Sequence, residues 1–315
     1  MNYEFFLKVA LARGVGDVAI RRILRFFSEN QDVSWESLCS DISLQKLIFY
    51  NKQEIVDGIA TQSEPAKRLA SELEKNSIKI VFCSDDFYPK KLRQVLREKC
   101  PPYLFYKGNI GLTNRNAVGF CGSRNASPKG IAITQECSNQ FAKNNIIVVS
   151  GYAKGIDIIA HSSALMNSGE TVFVLAEGIL MSTVKREVHD LLNCDNHVFL
   201  SQFMPESSWN AGSAMKRNSV IIGLSDAMII VESGKSGGTF AAGKETLSLN
   251  HPLFVIDFAQ PEVSAEANPY FISKGGIPIR GKNGKPNLSE VYSLIGKQNL
   301  YNNYFDTVQL QLNVS

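Results

Sequence analysis

The sequence predicts an α/β protein, with a Rossmann-like, mostly parallel sheet carrying helices on both faces and a small helical N-terminal domain before it. Three observations carry that expectation. Between Asn116 and Phe258 short apolar runs alternate with helical patterns, the rhythm of strand–helix–strand units. Several of those runs end in glycine-bearing loops that lead directly into a helix. The first ~80 residues, by contrast, repeat apolar positions at helical spacing.

At the N-terminus Phe5, Phe6, Val9 and Ala10 share a helix face, Arg13-Gly14-Val15-Gly16 interrupts, and Ala19 to Phe27 resumes. Gly-Val-Gly between two helices is a helix-hairpin-helix (SAM-like) pattern. Its amides can face a DNA phosphate, with Arg21, Arg22 and Arg25 nearby. A helical domain that only packs is the plainer reading and the preferred one, because a single hairpin offers few contacts. Ile78 to Phe82 follows as a short strand. The stretch around Pro101 and Pro102 then reads as an extended connector, since proline disfavours helix in the residue before it. The expected division is residues 1–80 helical domain, 81–110 connector, 111–260 Rossmann-like core and 261–315 short C-terminal extension.

Core strands are expected near 116–121, 146–149, 171–175, 197–200, 227–231 and 253–256. The loop after the first holds Gly122, Ser123 and Arg124, a guanidinium suited to phosphate. The loop after the second, Ser150-Gly151-Tyr152-Ala153-Lys154-Gly155, is the stretch around which the chain is organised. Its glycines allow main-chain amides to approach a ligand, a helix from about Ile156 adds its positive end, and Lys154 supplies mobile charge. Asp157 and His161 fall on one face of that helix. Asp157 suits a cap, and His161 suits either a ligand contact or a satisfied structural histidine. Before the fifth strand lies a helix with Lys216, Arg217 and Asn218; after it come Ser236, Gly237, Gly238 and Thr239, leading into a helix from about Phe240. Loops of this kind converging on one sheet edge fit a polyanion or a nucleotide, although tight turns also use glycine and capping Ser or Thr.

Hydrophobic content of 44% and charged content of 20% are those of a soluble globular protein. A net charge of +3 is only mildly basic, so nucleic-acid binding would need local clustering. The six cysteines form no C-x-x-C pair and no metal-ligand spacing with the four histidines. With no leader pattern and no transmembrane-length run, the cytoplasm is the expected compartment, with no membrane partner, no metal and no cofactor.

Taken together, these motifs resemble the DprA/Smf family of DNA-processing proteins. The resemblance rests on Gly122-Ser123-Arg124 with Ala126-Ser127, and on Ser150-Gly151-x-Ala153-Lys154-Gly155-Ile156-Asp157 with Ala160-His161 and Ala164-Leu165. It extends to Gly169-x-Thr171, Arg217-Asn218 with Ile221 and Gly223-Leu224-Ser225, and Ser236-Gly237-Gly238-Thr239. Asp86-x-Tyr88-Pro89 and Pro101-Pro102-x-Leu104-Phe105 look like that family's entry into its core. The resemblance implies a non-catalytic core that binds single-stranded DNA, often as a homodimer, and hands the protected strand to a RecA-type recombinase. Carried over by position, Arg124, the Gly151 to Gly155 loop and Arg217 would contact the DNA backbone, with Lys154 and Lys216 on the same track.

The chain departs from the family pattern in places. Ala214 stands where the family has an aromatic and Ser219 where a second Arg follows; Trp209 is a candidate substitute for the missing stacking ring. A Tyr-Pro is absent from Ile179 to Glu187, and Asp257-Phe258 replaces a Pro-Gly. The residues after Ala259 are too few to argue for the winged-helix module that many members carry. DNA uptake, recombination and a role against foreign DNA all stay open.

Two rival classes remain. A nucleotide phosphoribohydrolase would need a glutamate in the first turn after Thr239, whereas the first acid is Glu245, almost two turns in. A signalling-nucleotide sensor would use the same phosphate-binding amides and differ only in lacking dependence on strand length. A dehydrogenase is disfavoured, because Gly119-x-x-Gly122 lacks the G-x-G-x-x-G fingerprint.

Overall fold

The computed structural model describes residues 3–282 and 284–296. Six helices come first: α1 (Glu4–Ala10), α2 (Asp17–Glu29), α3 (Trp35–Ser40), α4 (Ile42–Ile48), α5 (Gln53–Thr61) and α6 (Ser63–Lys75). Gly14, at φ +91, makes the turn between α1 and α2.

Next come β1 (Lys79–Phe82), α7 (Lys90–Leu96), β2 (Tyr103–Gly108) and β3 (Ala117–Cys121). The core continues with α8 (Pro128–Lys143), β4 (Ile147–Ser150), α9 (Ile156–Met166), β5 (Thr171–Val174), α10 (Arg186–His189) and β6 (His197–Ser201). It closes with α11 (Ala211–Leu224), β7 (Ala227–Ile230), α12 (Gly238–Ser248), β8 (Leu253–Ile256), α13 (Asn268–Ser273) and β9 (Ile277–Ile279).

The sheet has nine strands in the order β1-β2-β6-β5-β4-β3-β7-β8-β9. From β6 to β9 all neighbours are parallel, and only β1–β2 and β2–β6 run antiparallel. Val118 of β3 sits opposite Val148 of β4 on one side and Ala227 of β7 on the other. Strands β3, β4, β5, β7 and β8 are buried at every position, which is why they read as mostly apolar runs without alternation.

After β3 the chain winds outward through β4, β5 and β6, then returns to lay β7 against the other side of β3. That reversal is a topological switch point. The loops following β3, β4 and β7 open there at the carboxyl edge, where such sheets bind ligands.

Two stretches fold differently from the expected division. The connector over 81–110 is extended at Tyr103–Gly108, but its residues pair with β1 and β6 as an integral strand. Its prolines precede the strand and so cost no ladder hydrogen bond. The C-terminal stretch adds β9 to the sheet, pairing Phe254 with Ile277; the helix over 289–296, in keeping with the helical pattern of Leu288 to Ile295 in the sequence, buries Val291 and Ile295 against the core. The run Lys274 to Pro278 was too short and glycine-rich to read as a strand. Residues 297–315, the rest of the expected extension, lie outside the described residues.

The helical domain is fixed to the sheet by aromatic packing. The Phe6 ring lies 5.1 Å from Trp35, 5.0 Å from Phe82 and 5.1 Å from Tyr103. Arg21 donates to the Cys100 carbonyl at 2.5 Å, and Arg22 donates to the Ile48 carbonyl at 3.2 Å. Two of the three arginines expected beside a DNA phosphate therefore serve packing. No helix among the described residues is long and apolar enough to cross a membrane.

Candidate functional site

Three loops meet around the backbone of Gly122 and Ser123. Gly155, at φ +85, is the N-cap of α9 and lies so close to the first loop that a Cβ there would meet the Ser123 carbonyl at 2.3 Å. Only glycine satisfies both the left-handed backbone and that approach. The Ile156 amide donates to the Ser123 carbonyl at 3.2 Å, and Thr239 Oγ1 donates to the Gly122 carbonyl at 3.0 Å. Glu232, buried at the end of β7, accepts from the Ser127 amide at 3.0 Å and from the Ser127 hydroxyl. Ser127 in turn caps α8 through the Gly130 amide. The first loop is thus tied to both of the others, a preorganisation that tight turns alone do not require.

The loops enclose a cleft of about 950 Å³. Of the expected residues, Gly122, Ser123, Arg124, Asp157, Arg217, Asn218, Ser236, Gly237, Gly238 and Thr239 line it. Gly237, at φ +89, opens α12, and a Cβ at Gly237 or Gly238 would meet nothing within 4 Å. That loop faces open space. The helix begins at Gly238, not near Phe240, because Gly237 supplies the cap conformation. A smaller recess of about 430 Å³ adjoins the cleft and is lined by Tyr152, Lys154, Glu177 and Lys185. Arg124, Ala153, Trp209 and Arg217 border both spaces.

Arg217 is the cleft's buried cation. It is 7% exposed, and its Nη1 donates to the Val174 carbonyl at 2.6 Å while Nε has no hydrogen-bond partner. Burial lowers its pKa, opposed chiefly by the attraction of Asp157. Burial likewise raises the pKa of Asp157, with Arg217 pulling it back down. Gly151 leaves room for this guanidinium, since a Cβ there would meet Nη1 at 2.0 Å. Asp157 is buried within electrostatic reach of Arg217 and does not cap its helix; Gly155 is the cap.

Arg124 and Lys154 are exposed at the rim. The Arg124 guanidinium carbon lies 5.5 Å from the Trp209 ring, which is 51% exposed. Trp209 was the substitute named for the missing aromatic, and it stands at the boundary of cleft and recess while Ala214 lines the cleft wall. Asn218 donates to the Gly238 carbonyl at 3.2 Å and so braces the third loop.

Three expected residues lie elsewhere. His161 is fully buried, with Nδ1 2.5 Å from Thr171 Oγ1 and its ring 4.1 Å from Phe173. Burial pushes its pKa down to about 3, which favours the neutral ring, and its burial against Phe173 and Thr171 gives it a packing role. The Ser150 hydroxyl is buried and donates to the Phe120 carbonyl at 2.8 Å. Lys216 faces away from the cleft and pairs with Asp17 of α2 at 2.7 Å. Arg217, Asn218 and Met215 of the same helix line the cleft, while Lys216 lies on the face turned toward α2.

Tyr152 and Lys185 were missed. Lys185 Nζ donates to the Tyr152 carbonyl, its amide donates to Tyr152 Oη at 2.5 Å, and the ammonium sits 4.4 Å over the Tyr152 ring. The two positions are 33 residues apart in sequence, and no spacing signal connects them. Among the described residues no cluster of three or more His, Cys, Asp or Glu is placed to hold a metal ion.

Residues 79–282 match the family described as DNA recombination-mediator protein A. The chain is 32% identical over 174 residues to the DNA processing protein DprA of Streptococcus pneumoniae, covering 55% of this chain and 60% of that protein's length. It is 26% identical over 285 residues to the protein Smf of Synechocystis sp., covering 89% of this chain and 70% of that one. Among solved structures, the X-ray structure of pneumococcal DprA aligns with a TM-score of 0.73 at 23% identity, over 90% of this chain and 96% of the other. A Helicobacter pylori DprA structure, described for its single-stranded DNA binding mode, aligns with a TM-score of 0.56 at 22% identity, over 70% and 95%. At these identities the structural likenesses establish the fold.

Proposed function

The chain belongs to the DNA recombination-mediator protein A family, and from that premise we propose that it binds single-stranded DNA in the cleft, shields it, and helps load a RecA-type recombinase. The observation that carries this reading is the cleft itself: a preorganised ring of three loops with the buried Arg217 guanidinium in its wall and Arg124 and Trp209 together at its rim. Arg124 and Lys154 supply mobile cations for phosphates and Trp209 a ring for a base, the two ingredients of sequence-tolerant single-strand binding. The description of the Helicobacter DprA structure lends the ligand class. A homodimer is part of the proposal.

The role is binding without bond cleavage. Glu245, the acid nearest Thr239 in sequence, accepts a hydrogen bond from Ser219 of α11 at 2.6 Å and is tied between helices, away from the cleft. The position where the family carries a second Arg thus serves helix packing here.

The test is a protection and loading assay. Single-stranded DNA incubated with the protein should resist nuclease and should support faster assembly of recombinase filaments in the presence of single-strand-binding protein. DNA digested at the rate of free DNA, with filament assembly unchanged, would overturn the proposal.

A further inference from the structure

On the far side of α11 from the cleft, a further cavity of about 580 Å³ lies between the α1–α2 hairpin and the turn from α4 to α5, with Lys216 of α11 at its edge. Gly14, Arg22, Tyr50, Lys52 and Lys216 line it, with Asp17 as the acid facing them. Three cations against one carboxylate leave this groove positive. Lys216 and Asp17 pair at 2.7 Å with half-exposed side chains, so the bridge is solvated and weak.

Tyr50 has an unusual geometry. It and Asn51 both adopt left-handed backbone, at φ 54 and φ 57. Two consecutive non-glycine residues in that region carry a conformational cost, and such costs concentrate at functional sites. The result is a tyrosine 68% exposed, with the Arg22 guanidinium carbon 4.4 Å from the ring centre. A cation behind one face and solvent over most of the ring is the arrangement of a stacking platform.

Adjacent residues of α11 border the two spaces. Met215, 52% exposed, lines the cleft, and its neighbour Lys216 lines the groove. A strand leaving the cleft past Met215 meets Lys216 next.

We propose that the groove between the helical hairpin and α11 is a second contact site for the same single-stranded DNA, with a base stacked on Tyr50 and phosphates on Lys52 and Lys216. The proposal rests on the cleft binding single-stranded DNA and extends its footprint onto the N-terminal domain. It differs from the hairpin contact considered from sequence, because Arg21 and Arg22 stay in structural roles and the strand meets the ring and the lysines.

The test is fluorescence anisotropy with labelled oligothymidylates of about 5 to about 30 nucleotides, spanning the ~4–16 that one groove commonly occupies. Wild type, Tyr50→Ala/Lys52→Ala and Asp17→Asn are compared at two salt concentrations. All three sites are solvent-facing, and circular dichroism confirms folding. The double variant should match wild type on the shortest strands and lose about tenfold in affinity on the longest, with a salt slope smaller by about 0.7 for the lost phosphate contact. Asp17→Asn, by freeing Lys216, should tighten long strands a few-fold. Wild type that binds with unchanged affinity, site size and salt slope in both variants would overturn the groove while leaving the cleft standing. Wild type that binds no strand of any length would overturn both.

Discussion

Replacing Gly151 by alanine tests whether the cleft is built around a fixed buried charge. Gly151 has no left-handed backbone angle, so alanine brings no conformational penalty there. The cost is steric and falls on one neighbour: the added Cβ would lie 2.0 Å from Nη1, 2.4 Å from Cζ and 2.4 Å from Nη2 of Arg217. Ordinary contact needs about 3.5 Å, so the guanidinium must retreat by about 1.5 Å. An exposed arginine would swing aside. This one is 7% exposed, and its Nη1 holds the Val174 carbonyl at 2.6 Å, a bond that such a shift breaks. Losing a hydrogen bond to a buried charged group costs about 1.5–3 kcal/mol, and overpacking about 1–3 kcal/mol. Gly151→Ala is therefore expected to destabilise by about 3 kcal/mol.

A double-mutant cycle isolates the cause. Arg217→Met is destabilising by itself, because it leaves the Val174 carbonyl without its donor and removes the positive charge that favours ionised Asp157. With the guanidinium gone, however, the alanine at position 151 has nothing charged to displace. The double variant should cost little more than Arg217→Met alone, a coupling of about 2 kcal/mol in urea unfolding followed by circular dichroism. Costs that add within about 0.5 kcal/mol would refute the reasoning.

Gly155→Ala should behave in the opposite way. Its clash is with the Ser123 carbonyl and its φ is +85, so no side-chain substitution rescues it, and loss of DNA binding should accompany the lost stability. Trp209→Ala should weaken binding of long oligothymidylates by about 1–3 kcal/mol with an unchanged unfolding midpoint, since the ring is 51% exposed; unchanged affinity would remove Trp209 from the site. His161 sets a pH dependence. Its pKa falls from 6.5 unfolded to about 3 folded, so its contribution is fully present above pH 6.5 and is lost as pH falls toward 3. At pH 5 the loss is about 2 kcal/mol, and His251, pushed down to about 4 by burial, adds a similar loss in nearly the same window. Asp157, with its raised pKa, works in the other direction. His161→Phe should flatten the decline in stability between pH 7 and pH 5 by about the His161 share, and an equally steep decline would contradict the assignment.

Much of the core could be read in the sequence because burial on both faces writes a strand as a mostly apolar run. The six strands expected between Asn116 and Phe258 appear as β3 to β8, within a residue or two of their expected limits. The glycines of the loops were legible for the same kind of reason: Gly155 and Gly237 stand where only glycine fits the backbone. Other features were not legible because they depend on partners distant in the chain. Tyr103–Gly108 looked like a connector until β6, about 90 residues later, paired with it. Lys154 and Lys216 look equivalent in sequence, yet one stands at the cleft rim and the other faces the hairpin. His161 occupies a motif position, and only the packing of Phe173 and Thr171 shows it to be structural. Tyr152 and Lys185 meet through a fold contact that no local pattern encodes.

The most direct test of the cleft is the anisotropy of labelled oligothymidylates of increasing length with wild type and Arg124→Ala at two salt concentrations, alongside mononucleotides. Affinity that rises with strand length, weakens with salt and falls about tenfold or more in the variant is the predicted result. Binding that is flat with length, or strongest for a single nucleotide and indifferent to Arg124, would contradict it and identify the cleft as a nucleotide site.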